Sequence, residues 1–423
     1  MEKVTEQDSK GSHTEGHMKS GTGHAALVEL VREKHASIIE IVDKLIHEAH
    51  AARASDIHID PKSENVRVRL RIDGVLQERY VCAKNMHNEI ISRIKVLGGL
   101  RTDEHQSAQD GRFRVQLPDA DSVDVRVSIT PTYFGENAVL RLLGNKNEAL
   151  ALGDLGFSKS DRTKLEEAIK KPHGMILVTG PTGSGKTTTL YTLIRKLSTP
   201  EVSIVTIEDP IECSMEGISQ IQINPRSGLT FANGLRSILR QDPNIIMVGE
   251  IRDTETAMIA VNTALTGHLL LSTLHTNDAA TTLPRLLDMG IDAYLVASTV
   301  NIAVGQRLVR RICTECKDKS RLTPAEKESL KSYFAKHKKE DMTFYQGKGC
   351  AACGETGYRG RVGVNEVLVV DDESRDAILR KSSAAVIRGI AMKNGMTTMF
   401  EDGLSKALNG ETTVAELLRT INE

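Results

Sequence analysis

Residues 175–190 read Met175-Ile-Leu-Val-Thr-Gly-Pro-Thr-Gly-Ser-Gly-Lys-Thr-Thr-Thr-Leu190, and the architecture of the chain follows from them. A short apolar run, Met175–Thr179, enters a glycine-rich loop, and a helix-forming segment leaves it. The loop, Gly180-Pro-Thr-Gly-Ser-Gly-Lys-Thr187, fits GxxxxGK[ST] in the strand–loop–helix context that the pattern requires. Gly180, Gly183 and Gly185 let successive backbone amides turn inward around an anion, and the following helix adds its positive end. Lys186 brings a point charge for β- and γ-phosphates, and the Thr187 hydroxyl suits Mg²⁺. Pro181, Thr182, Ser184 and Thr188 complete the expected lining of an ATP site. The bland alternative is a glycine-rich turn.

Outward from the loop the same rhythm repeats, as in a parallel α/β sheet beginning near Gly153. Ser203–Ile207, Asn244–Val248 and His268–Thr273 read as buried strands, with helices starting at Thr230, Thr254 and Asp278. Glu250 closes the second of these strands, at the carboxyl end where α/β sites gather. Asp253 lies three residues on, and Asp242 precedes Pro243. Glu250 is expected to position or activate water and help hold Mg²⁺; the alternative is a surface carboxylate capping the next helix.

Upstream the period changes. Ile38, Val42, Leu45, Ala49 and Ala52 mark an amphipathic helix, and Val66, Val68, Leu70 and Ile72 alternate with Arg67, Arg69 and Arg71 on a strand. Asp73-Gly74 turns this strand into Val75–Tyr80 as a hairpin. A helix over Asn85–Leu97 and strands over Gly111–Val115, Ser122–Ile129 and Asn137–Leu143 complete a small α+β unit, closed by the polar stretch Gly144–Glu148. Residues 1–24 lack the apolar content to offset ordering entropy and read as disordered, either a tag remnant or a linker.

Downstream, Cys313-Thr-Glu-Cys316 and Cys350-Ala-Ala-Cys353 are separated by 33 residues. Two CxxC knuckles can place four thiolates around a tetrahedral Zn²⁺, and four cysteines leave no open position, so the metal is structural. A redox role is the competitor. Cys82 and Cys213 have no partner pattern and read as buried or incidental. Residues 372–423 are mostly helical by pattern.

Composition limits the function. The chain has 423 residues, too many for one ordinary domain, and 55 basic against 56 acidic residues give no bulk attraction to nucleic acid or anionic lipid. No tryptophan and 3% aromatics argue against a base-stacking surface. No apolar run reaches the roughly 20 residues of a membrane span, and no secretory signal opens the chain, so a cytoplasmic protein is expected.

Three stretches around the phosphate loop carry a resemblance. Thr206-Ile-Glu-Asp-Pro-Ile-Glu212 resembles the aspartate box of the secretion ATPase superfamily. Gly249-Glu-Ile-Arg-Asp253 resembles its Walker B ending, with glycine in place of the usual aspartate, and Thr266-Gly-His-Leu-Leu-Leu-Ser-Thr-Leu-His275 resembles its histidine box. Order and spacing agree over roughly residues 38–423, most strongly with type II secretion and type IV pilus assembly ATPases. The tetracysteine motif favours that branch over the retraction ATPases.

The resemblance implies an α/β chain: a small α+β, PAS-like domain over 25–147, then a RecA-like P-loop ATPase domain over 148–423. The second domain would include a zinc-binding module at 313–353 and a helical region at 372–423. It implies ATP, Mg²⁺ and Zn²⁺ as cofactors. By the same resemblance Glu208 and Asp209 lie near the metal and γ-phosphate, Glu250 is the catalytic carboxylate and His275 senses the γ-phosphate. Without the resemblance, Glu208-Asp209 before Pro210 would read as a turn pair. His268 reads as structural.

In this family the site is completed in a hexamer by arginines of the small domain, best matched by Arg126 and Arg141. Arg67, Arg69 and Arg71 are the second choice, with a solvated sheet face as their alternative, and Arg236 and Arg240 share one helix face. The implied role is a cytoplasmic motor, peripheral at the inner membrane through a platform protein and a cytoplasmic recruiter, with no nucleic-acid partner. Family members usually carry a further N-terminal domain that binds the recruiter; the short leader here puts recruitment by that route in doubt. A ring-shaped nucleic-acid translocase and a nucleotide-gated scaffold with vestigial hydrolysis are the competing readings.

Overall fold

The computed structural model describes residues 37–117, 122–144, 150–331, 333–334 and 342–422. The leader 1–24 and most of the polar stretch 144–148 lie outside them. The chain divides into two compact units at Leu142/Leu143.

In the first unit a helix, Ile38–Ala51, buries Ile41, Val42, Leu45, Ile46 and Ala49 along one face. Strands β1 (Ala54–Pro61), β2 (Asn65–Ile72) and β3 (Val75–Ala83) follow, then a helix over His87–Leu97, β4 (Gln109–Gln116), β5 (Ser122–Thr132) and β6 (Gly135–Gly144). They form one six-stranded sheet in the order β3-β2-β1-β6-β5-β4. The β2–β3 turn has φ of 49° at Asp73 and 87° at Gly74, both in the left-handed region, which matches strand twist in a two-residue hairpin. Alternation sets the layers: Val66, Val68 and Leu70 of β2 join Val123, Val125 and Val127 of β5 in the core with both helices. The arginines of β2 take the other face.

The second unit is built on a seven-stranded sheet. A helix over Lys159–Ala168 precedes β7 (Gly174–Thr179), and the helix Lys186–Leu197 follows the glycine-rich loop. Then come β8 (Ile204–Glu208), β9 (Ser219–Gln222), a helix Phe231–Ile238, β10 (Ile245–Val248), a helix Thr254–Leu265 and β11 (Leu269–Leu274). Helices Ala279–Asp288 and Ala293–Thr299 lead to β12 (Val300–Ile312), and β13 (Lys317–Ser320), β14 (Phe344–Gly347) and β15 (Tyr358–Val369) follow. Four helices, Asp372–Leu379, Ala384–Lys393, Met399–Leu408 and Val414–Asn422, occupy the C-terminal region. The sheet order is β15-β12-β7-β11-β10-β8-β9; β15 pairs antiparallel to β12, and the other pairs are parallel. Strands β13 and β14 form a separate two-stranded sheet.

Helices cover both faces, which is why β7 and β11 are buried at every residue. Met175 and Leu177 of β7 pack with Leu235, Ala260 and Leu283, whereas Ile176 and Val178 pack with Leu190, Leu193 and Ile194 of the helix after the loop. Each such side chain, fully buried, is worth about 1.5–3 kcal/mol. The helix starts at Thr254 as expected, but its N-cap is Asp253 rather than Thr254, with the Asp253 carboxylate accepting from the Thr256 amide at 2.8 Å. Strand β12 was not expected from pattern. Asn301 interrupts its apolar first half and its second half carries Gln306, Arg307, Arg310 and Arg311, so it shows no period of two.

Candidate nucleotide-binding site and metal centre

The strand order places the glycine-rich loop at the carboxyl end of β7, where β11 and β10 end beside it. At Gly180 a β-carbon would lie 2.4 Å from the Gln306 carbonyl oxygen and 2.6 Å from Ser184 Oγ, so only glycine fits. Gly185, with φ of 91°, caps the helix that begins at Lys186. Lys186 Nζ donates to the carbonyls of Gly180 (2.8 Å) and Pro181 (3.0 Å), within the loop itself. Burial lowers the pKa of this ammonium; Glu250 opposes the shift and Arg307 adds to it. Pro181, Thr182, Gly183, Thr187 and Thr188 are exposed along the loop. Ser184 Oγ is buried with no hydrogen-bond partner among the described residues. The donor set (loop amides, Lys186 and the Thr187 hydroxyl) fits a phosphate chain with Mg²⁺.

Strand β10 delivers Glu250, whose side chain is 13% exposed. Its Oε1 accepts from Arg252 Nη2 at 2.5 Å and its Oε2 lies 3.1 Å from His275 Nε2. The same Arg252 reaches Asp209 Oδ2 at 3.8 Å, and its hydrogen bond with Glu250 raises the guanidinium pKa. Glu250, His275, Asp209 and Lys186 were expected from sequence; Arg252, which links two of them, was quoted only inside the motif.

Backbone hooks hold the strand ends in place. Ser272 Oγ donates to the Val248 carbonyl and Thr273 Oγ1 to that of Gly249, at 2.8 and 2.7 Å. The fully buried Thr179 Oγ1 accepts from the Thr276 amide at 3.0 Å and lies 2.9 Å from the Thr276 carbonyl, so it pins the residue after His275. Glu208 sits differently from its neighbour Asp209. It is 2% exposed, with Oε1 accepting from Thr206 Oγ1 (2.6 Å) and Gln220 Nε2 (3.2 Å) and Oε2 accepting from the Tyr191 hydroxyl. Burial and this carboxylate raise the Tyr191 pKa. Asp209 is exposed.

His268 Nδ1 lies 3.2 Å from the Thr263 carbonyl, at a helix end. Asp253 is occupied as a cap. Arg236 pairs with Glu255 at 2.7 Å, and Arg240 donates to the Arg236 carbonyl at 3.0 Å. In the first unit Arg126 of β5 stands opposite Arg112 of β4. Arg141 lies 3.1 Å from Asp56, an acid shared with Arg71 at 3.4 Å, while Arg69 pairs with Asp60 and Arg67 with Glu78. The three alternating arginines therefore form a row of ion pairs.

At the far end of β12 the four cysteines converge. Cys313 and Cys350 sulfurs are 3.9 Å apart, Cys316 and Cys353 3.9 Å, and Cys350 and Cys353 3.7 Å. A tetrahedron with Zn–S bonds of about 2.3 Å has edges of roughly 3.8 Å, so the cluster fits zinc without rearrangement. Burial works against the Cys353 thiolate, but the amides of Cys350 and Gly357, each 3.2 Å from the sulfur, bring the pKa down to about 7. Cys82 is buried in the first unit, and Cys213 lies near Arg195.

The model of the Type II/IV secretion system protein family matches residues 31–419. The chain belongs to that family. It is 47% identical over 384 residues to a protein named type IV pilus assembly ATPase PilB of Thermus thermophilus, covering 90% of this chain and 43% of that one. To a type II secretion system protein E of Xanthomonas campestris it is 46% identical over 400 residues, 94% of this chain and 69% of the relative. The chain thus spans less than half of the first relative and about two thirds of the second. Its fold is that of secretion ATPases: the Legionella pneumophila ATPase DotB aligns with a TM-score of 0.67 at 22% identity, over 92% of this chain and 97% of that one. The pilus retraction motor PilT, solved with bound ADP, aligns with a TM-score of 0.59 at 24% identity, over 91% and 97%. Secretion-family membership agrees with the resemblance carried by the aspartate and histidine boxes. Among the described residues no helix is long and apolar enough to cross a membrane.

Proposed function

We propose that this chain is the motor part of a secretion or pilus-assembly machine, a Mg²⁺-dependent ATPase working as a hexameric ring. The observation that carries the reading is the meeting of Lys186, Glu250 and His275 at the ends of three neighbouring strands, β7, β10 and β11, within a member of a secretion ATPase family. Gly180 to Thr188 hold the phosphates, Thr187 faces Mg²⁺ and Asp209 lies near the metal. Glu208 sets the aspartate box through its hydrogen bonds to Thr206 and Gln220. Glu250 orients the attacking water and His275 follows the γ-phosphate.

Residues 25–147 serve as the small PAS-like domain and 148–423 as the RecA-like motor domain. Arg126 and Arg141 supply further positive charge in the assembled ring. The four cysteines hold a structural Zn²⁺. The motor works in the cytoplasm, held at the inner membrane by a platform protein and a cytoplasmic recruiter, and nucleotide turnover drives its domains between two arrangements through differential contacts.

Glu250→Gln tests the assignment. The carboxamide keeps the size of the side chain but removes its charge and basicity, so phosphate release should fall by about 10²–10⁴-fold while nucleotide affinity stays within a few-fold. Unchanged turnover would remove Glu250 from the chemistry.

A further inference from the structure

We propose that Tyr191 is a positioning residue of the nucleotide site: its hydroxyl ties the helix that leaves the phosphate loop to the turn carrying Asp209, and so presents Asp209 to the metal; this rests on the nucleotide-binding reading above. Tyr191 lies on the helix Lys186–Leu197, in one core cluster with Leu190, Ile194, Ile204 and Met215, and is 7% exposed. A buried aromatic at helical spacing reads as core, which is why sequence patterning did not single it out.

The hydroxyl bonds one short turn at both of its ends. It donates to Glu208 Oε2 and accepts from the Glu212 amide at 3.3 Å, so it closes the turn Glu208-Asp209-Pro210-Ile211-Glu212. Gln220 does the same from β9. Its Nε2 donates to Glu208 Oε1 at 3.2 Å and to the Cys213 carbonyl at 3.0 Å, and its Oε1 accepts from the Met215 amide at 2.7 Å. Each Glu208 oxygen is thus gripped from a different element, and each grip extends to the backbone that follows. Thr206 Oγ1 adds a third donor at 2.6 Å.

Fixing Glu208 fixes its neighbour. With the Glu208 side chain held inward at the end of β8, alternation turns Asp209 outward, where its Oδ2 lies 3.8 Å from Arg252, the partner of Glu250. An exposed carboxylate on a free loop samples many positions; one that follows a clamped residue samples few, and a reacting site tolerates little displacement. The clamp is anchored on the helix whose first turn carries Lys186 and Thr187, so the groups that meet phosphate and metal are held by one rigid element. Phenylalanine would fill the same space but would leave Glu208 Oε2 without this donor and the Glu212 amide without this acceptor.

The test compares Tyr191→Phe, Asp209→Asn and the double variant with the unaltered chain, reading phosphate release and, by calorimetry, ATP binding as Mg²⁺ is varied. Tyr191→Phe should lower kcat by about ten- to a hundredfold and raise the half-saturating Mg²⁺ by about threefold or more, while inorganic triphosphate without metal binds within about threefold of normal. A loss of packing alone would not single out the metal. Asp209→Asn should show the same pattern, and the double variant should be worse than Asp209→Asn by no more than about twofold, because one residue acts through the other. If Tyr191→Phe keeps the Mg²⁺ dependence while Asp209→Asn shifts it, or if the two losses multiply, the inference is overturned and the nucleotide site stands. Lys186→Ala checks that site separately: triphosphate binding that survives it fails the nucleotide reading and the inference together. Should Tyr191→Phe not fold, the unaltered chain decides: the Glu212 amide must exchange with deuterium as slowly as the amides of the helix Lys186–Leu197, and exchange at the rate of an open loop overturns the inference.

Discussion

Replacing Thr179 by valine removes one hydroxyl and keeps nearly the same shape. The hydroxyl is fully buried and accepts from the Thr276 amide at 3.0 Å, with the Leu274 and Thr276 carbonyls at 3.0 and 2.9 Å as alternative acceptors for its one proton. Valine leaves the Thr276 amide without that acceptor, a cost of about 1–3 kcal/mol, and forfeits the donated bond at about 1 kcal/mol. A methyl in place of the hydroxyl returns roughly 0.8 kcal/mol of apolar burial. The net loss is about 1–3 kcal/mol, and it falls on the segment that aims His275 at Glu250. Thr276 Oγ1 retains Thr282 Oγ1 at 2.9 Å, so the loop should loosen rather than unfold. Urea unfolding measures the stability, and phosphate release at saturating ATP measures the consequence: kcat should fall about ten- to a hundredfold, with KM changing less. Thr179→Ser keeps the hydroxyl and should retain most of the activity. A valine variant with unaltered stability and unaltered kcat would refute the idea that this hydroxyl positions the site.

Two further outcomes follow from the metal centre and the C-terminal helices. Metal analysis should find zinc bound, and Cys353→Ser or strong chelation should release it and lower the thermal midpoint, since a closed tetracysteine site contributes several kcal/mol to folding; an unchanged midpoint in metal-free protein would rule out a structural role. Glu416 is buried, which opposes its charge, but Arg310 at 2.6 Å and Arg419 at 3.1 Å hold its pKa down to about 2 against an ordinary 4.5. A carboxylate with a depressed folded pKa stabilises the fold above pH 4.5, and that contribution fades as pH falls toward 2. By linkage it is worth about 3 kcal/mol, or on the order of 2 after allowing for solvent around Arg419. Glu416→Gln should therefore lower stability at pH 7 and flatten its acid dependence; equal slopes between pH 5 and 2.5 would contradict this.

Much of the site could be read directly from residue order. Gly180 to Thr187, Glu250 and His275 occupy strand ends and a loop, positions fixed by local pattern, and the strand–loop–helix rhythm places them at one edge of a parallel sheet. The tetracysteine spacing likewise announced its own geometry, because metal coordination admits few arrangements. Strands β12 and β15 escaped notice because Asn301, Gln306 and Arg307 in the one and Arg361, Asn365 and Glu366 in the other interrupt their apolar runs, leaving neither alternation nor a continuous apolar stretch. With them went the nearness of Gln306 to Gly180 and the fact that the strand flanking the phosphate loop ends at Ile312, beside Cys313.

The same limit explains the acids. Glu208 and Asp209 are chain neighbours of similar chemistry, yet one is 2% exposed with two hydroxyls and an amide on its oxygens while the other is exposed. Period-two alternation at the end of β8 predicts that they face opposite ways but not which of them is enclosed. Tyr191 and Gln220, 17 and 12 residues away along the chain, settle that by packing. Short-range patterns prescribe elements and loop chemistry because backbone sterics and hydrogen bonding act between near neighbours. Charge environment is set by groups distant in sequence, and only the assembled sheet brings those within the few ångströms over which they act.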